Sequence, residues 1–99
     1  MFLLLSRYCK PLDEVNRWLP EHREFLDRHY AAGNFIVSGP MEPREGGVIL
    51  TTDISREEVD RIMRDDPFLR EGVSEYQYVE FYATKRTEAF AAALEWRPR

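Results

Sequence analysis

Cysteine is almost missing from this chain of 99 residues. Cys9 stands alone, so no internal disulfide can form. A single thiol fits a reducing compartment, and a cytoplasmic protein is expected. Positive charge is also scarce: 18 Asp and Glu outweigh 14 Lys and Arg, for a formal net charge of −4. No net positive field offers counterion release, so nucleic acid is not an expected partner. Long apolar runs are lacking too. The longest, Met1 to Leu5, is far shorter than a membrane span, and no basic segment precedes it as in a secretory leader. No membrane association is expected. The patterns Cys-x-x-Cys, His-Glu-x-x-His and the P-loop are absent. His22 and His29 are seven residues apart, about 10 Å along a helix and too far to share one ion. No metal site is expected.

What is present describes an ordinary folded domain. The chain is 43% hydrophobic and 32% charged. Its length is enough to bury about two-thirds of the unfolded surface in one modest core. No repeat, low-complexity stretch or linker divides it.

Phe2 to Tyr8 reads as a buried strand, ended by Lys10-Pro11. Val15, Trp18, Leu19, Phe25, Leu26 and Tyr30 fall at helical spacing. Proline costs about 3 kcal/mol inside a helix but is tolerated in a first turn. Pro20 therefore predicts a break: a short helix over 12–18, then a main helix from Pro20 to Ala32, stopped by Gly33. Phe35 to Ser38 is a second strand ended by Gly39-Pro40, and Val48 to Thr52 a third. Ser55 and Glu58 match a capping box, opening a helix with Val59, Ile62 and Met63 on one face. Asp66-Pro67 ends it. Phe68 to Glu71 reads as a turn, Val73 to Ala83 as a fourth strand, and Thr87 to Trp96 as a helical tail. The order β-α-β-β-α-β is the split βαβ, ferredoxin-like plait of the α+β class. Both helices then cover one face of the sheet. Strand one is apolar on both faces, and strand four carries Tyr76, Tyr78 and Tyr82 on one face, Val79 and Phe81 on the other. A second subunit stacked sheet against sheet, a dimeric α+β barrel, would bury the open face. The alternative is that the tail folds back over it.

His22 shares a helical stripe with Leu19, Phe25, Leu26 and His29, so it points toward the sheet. With Pro20 as first helical residue, His22 lies in the first turn, where the helix dipole disfavours a cation. An inward neutral imidazole serves either as a base or as a histidine satisfied by a backbone carbonyl. Asp66, before Pro67, is either the carboxylate that fixes the His22 tautomer or an aspartate in a turn. Asp65, the competing acid, is expected in solvent. Ser38 is a donor for a substrate oxygen, and Gly39, before Pro40, permits close approach of backbone or ligand. Arg7 is either an anion clamp or a surface residue at a strand end. Gly46-Gly47 opens a strand, not a helix, and is no phosphate loop. Cys9 has no evident activating partner. The tryptophans and tyrosines read as packing.

These motifs, in this order, resemble the YciI-like (YCII-related) family of small dimeric α+β barrel proteins. The resemblance is carried by the opening strand, Pro20-Glu21-His22, Ser38-Gly39-Pro40, Asp66-Pro67-Phe68, Gly72-Val73 and the strand from Tyr76 to Phe81. It spans residues 1–86, with 87–99 as a C-terminal tail that departs from the shortest members. It implies a homodimer and a small-molecule pocket. His22 and Asp66 would be its catalytic pair, with Ser38, Gly39 and Pro40 lining it. One branch is similar to dehydrochlorinases of chlorinated hydroxyhydroquinones, which use no metal or organic cofactor, so none is expected here. Two readings follow. One is a cofactor-independent acid–base enzyme, a lyase or isomerase on a small polar or aromatic metabolite. The other is a non-catalytic dimeric module that binds a small ligand or a protein. A cofactor-free monooxygenase is a third, resting on fold analogy alone.

Overall fold

Residues 1–98 are described by a computed structural model. The elements are β1 (Phe2–Tyr8), α1 (Leu12–Ala31), β2 (Phe35–Pro40), β3 (Gly47–Thr51), α2 (Arg56–Met63), α3 (Pro67–Arg70), β4 (Ser74–Glu80) and α4 (Glu88–Glu95). The strands form one antiparallel sheet in the order β2-β3-β1-β4. This is the expected ferredoxin-like plait, with the short helix α3 added before β4 and α4 after it. Ser55 and Glu58 close the capping box of α2. Gly33, just past α1, adopts φ 78°, which a side chain would resist.

Two expectations change. Helix α1 runs through Pro20 without a break. Proline removes one hydrogen bond, to Asn16, but Pro20 is exposed, so water can reach the freed carbonyl. Both halves of the helix are anchored: Val15 packs with Phe68 and Val73, and Phe25 packs in the larger core with Phe2, Leu4 and Met63. His22 consequently lies midway along α1, and the first-turn dipole does not act on it. Asp66 is also not the end of α2. It is the N-cap of α3, with Pro67 at the first position, and residues read as a turn form that helix.

The sheet's second face carries an apolar row near one end and the charged Arg7 and Glu75 at the other. Val37 pairs with Leu50, Leu50 with Leu3, and Leu3 with Val79, one continuous row across all four strands. The tail does not fold over this row. Its packing is at the opposite end of the sheet from the strand ends described next: Trp96 stands over Gly33, and α4 borders Met1 and Asp53. The tail reading reached residue 99, which lies outside the described residues.

Candidate functional site

Between the two core clusters, where α1 crosses the ends of β1 and β2, lies a cavity of ≈ 320 Å³. That is room for a single ring. His22 lines it from α1, Ser38, Gly39 and Pro40 from the end of β2, and Tyr76 from β4. Tyr8, Leu19, Leu26, Ile49 and Phe68 supply apolar walls.

Asp66 stands behind His22 and is completely buried. Its Oδ1 lies 2.7 Å from His22 Nδ1 and accepts from the Phe68 amide at 3.0 Å. Its Oδ2 accepts from the Tyr76 hydroxyl. Three donors therefore converge on one buried carboxylate, which satisfies it as burial requires. Burial first, then the Asp66 charge, pushes the Tyr76 hydroxyl far above its ordinary range, so Tyr76 donates and never competes as an anion. With Nδ1–H given to Asp66, Nε2 of a neutral His22 is the acceptor nitrogen left to the cavity. The imidazole plane is fixed as well: Phe68 stacks on it at 3.9 Å between centroids, with 4° between planes.

Ser38 reaches the cavity by a local irregularity. Phe35 opposes Thr51, but Val37 already opposes Leu50, so β2 carries one extra residue at Ile36. Strict alternation from the buried Phe35 would aim Ser38 at the open face. The bulge turns it to the helix side, where its Oγ lies 2.7 Å from Tyr30 Oη.

Arg7 is not part of this arrangement. It alternates with the buried Ser6 and lies exposed on the other face of the sheet, beside Glu75. Strand parity separates it from His22. Gly39 pairs with Val48, and a Cβ there would meet no protein atom within 4 Å, so close backbone approach is not its role. Gly46 has that role: a Cβ would stand 1.8 Å from the Ser6 carbonyl oxygen. Asp65 is exposed, as expected. Sequence reasoning misses four contributors: Tyr76 reads as packing and Phe68 as a turn residue, Tyr30 enters only as part of the helical stripe, and Arg44, which lines the cavity from the loop between β2 and β3, is not singled out. The Asp-Pro pair was a readable N-cap signal that could have aimed Asp66 at Phe68. Nothing local could have announced Arg44. Among the described residues no three His, Cys, Asp or Glu side chains gather in a metal-holding group, and no helix is long and apolar enough to cross a membrane.

No curated protein matches the chain. Among solved structures it is similar to the 5-chloro-2-hydroxyhydroquinone dehydrochlorinase TftG of Burkholderia phenoliruptrix, in complex with 2,5-dihydroxybenzoquinone. The TM-score is 0.68 at 20% identity, over 83% of this chain and 94% of that one. Such a likeness establishes the fold. Residues 1–82 match the YCII-related domain, and the chain therefore belongs to the YCII-related family.

Proposed function

We propose that this protein is a cofactor-independent acid–base enzyme, lyase-like and close in chemistry to a dehydrochlorinase, acting on a small hydroxylated ring. The observation that carries the reading is the 2.7 Å contact between His22 Nδ1 and the buried Asp66 carboxylate at the wall of a ring-sized cavity. His22 Nε2 takes a proton from the ring in its keto form. The freed electron pair becomes a new π bond, and chloride leaves with the carbon–chlorine pair. Asp66 stabilises the imidazolium that forms and holds its orientation. Ser38 gives a hydrogen bond to a ring oxygen. The dehydrochlorinase named for the similar structure supports the reaction class.

The test is halide release and ring absorbance over a panel of chlorinated hydroquinones. A positioned base contributes about 10²–10⁴-fold, so His22→Ala should lose at least the lower figure in kcat and remain folded. Turnover that survives His22→Ala overturns the mechanism.

The working unit in this proposal is a homodimer in the cytoplasm. Val37, Val79 and Phe81 are exposed on the open face, at 55%, 37% and 36%. An apolar row across a whole sheet supports a second copy as its cover. Light scattering should give twice the chain mass, and Val79→Arg should halve it. A monomeric wild-type chain would remove the dimer.

A further inference from the structure

The cavity has a sign that the molecule does not. Over the whole chain, acids exceed Lys and Arg by four. The charged residues lining the cavity are Arg23 and Arg44, and no carboxylate lines it. Arg44 is half-buried on the loop between β2 and β3. Its guanidinium donates to Asn16 Oδ1 at 2.7 Å and sits 5.9 Å from the Tyr8 ring centroid. Among the described residues it has no carboxylate within 4.0 Å; the other arginines without one are all exposed, so Arg44 alone is unpaired and half-buried. Glu21, beside His22 in sequence, is taken by Arg70 at 3.5 Å. An arginine fork has five N–H donors, so an amide and a ring position Arg44 without neutralising it. A half-withdrawn cation held in place and left without a counter-charge suits an arriving anion. Arg23 is exposed, lines the same cavity and is likewise without an ion pair. It lies seven residues from Asn16, about 10 Å along α1, too far to grip the same group and well placed to raise the potential.

We propose that Arg44 is the specificity-determining residue of the cavity and that the ligand is a small single-ring anion, its acidic group on Arg44 and its ring toward His22. Arg23 steers it. This rests on reading the cavity as the substrate site, and it adds the charge of the substrate. The 320 Å³ space is at the small end for a ligand pocket and suits one ring with small substituents.

The experiment is binding, followed by NMR shifts of the His22 ring and the Tyr8 and Phe68 amides. The probes are 2,5-dihydroxybenzoate, its neutral amide 2,5-dihydroxybenzamide, and hydroquinone. The benzoate should bind at least tenfold tighter than the amide. Arg44→Gln should erase that preference and leave the neutral probes unchanged, with Arg44→Lys in between. Arg23→Gln should weaken the benzoate by a smaller factor that added salt removes. Equal binding of benzoate and amide, a preference that survives Arg44→Gln, or no benzoate binding at millimolar concentration each overturn the proposal. The readout is independent of turnover. A chain that selects the anion and turns nothing over keeps this subsite and loses the acid–base function; catalysis on neutral rings alone does the reverse.

Discussion

Replacing Asp66 by alanine should cost this domain more than any other single change in the site. The carboxylate is fully buried and answers three donors: His22 Nδ1, the Phe68 amide and the Tyr76 hydroxyl. Alanine leaves all three facing a dry gap. An orphaned buried polar group costs about 1–3 kcal/mol, and the Phe68 bond is also the cap of α3. Three such groups cost about 3–9 kcal/mol, against a total stability of about 5–15 kcal/mol for a domain. At about 4–8 °C per kcal/mol for this size, even the low end lowers the Asp66→Ala melt by roughly 12–24 °C. Asp66→Asn should behave differently. Its Oδ1 still accepts from Phe68 and His22, and the Tyr76 hydroxyl can rotate to accept from the new amide. The cost should be about 1–2 kcal/mol. Both variants should lose turnover, because neither holds a negative charge behind the imidazole. The assay is a denaturant series and a thermal melt, followed by circular dichroism. An alanine variant melting within a few degrees of wild type, or an asparagine variant as damaged as alanine, would refute the three-donor account.

Two further outcomes follow from other parts of the structure. Gly46→Ala should destabilise by about 1–3 kcal/mol, since its Cβ would overlap the Ser6 carbonyl and push the 41–46 loop off β1; a melt unchanged from wild type would show that the loop is not held this closely. Burial, reinforced by Arg28 and weakly opposed by Asp65, holds His29 below its ordinary value of 6.5. The unfolded chain then binds more protons than the folded one as pH falls below about 6.5, so stability is lost through that window and is whole above it. Wild type should therefore lose urea midpoint relative to His29→Gln between pH 7.5 and pH 5, so that any advantage it holds at pH 7.5 shrinks or reverses toward acid, and a constant difference would count against it.

Much of the fold is legible in the sequence, because its elements carry their own punctuation. Ser55 with Glu58 marks the start of α2, Gly33 the end of α1, and the apolar run from Phe2 gives β1. Pro20 misleads because its local cost is overruled by packing at Val15 and Phe25, in two clusters built from distant segments. The site is legible by residue type and not by contact. His22 is inward from its stripe alone. Its partner requires α3 to bring Asp66 under α1, and the Tyr76 hydroxyl requires the β1–β4 register. Arg7 fails for a simple reason: chain proximity to the site says nothing about which face of a strand a side chain takes. Arg44 is invisible because a loop residue has no periodicity to read.

The bulge in β2 has a consequence for comparing relatives. Ser38 faces the cavity because the bulge absorbs one residue and leaves the serine opposite Ile49. Deleting Ile36 would therefore keep Ser38 on the helix side, since Phe35, Val37 and Ser38 would then alternate regularly against Thr51, Leu50 and Ile49. Smoothing the bulge while keeping the residue would do the reverse and send the serine to the open face. A relative one residue shorter ahead of its Ser-Gly-Pro can thus present the same serine to its cavity, and the position is assigned by its cross-strand partner and not by its distance from the start of the strand.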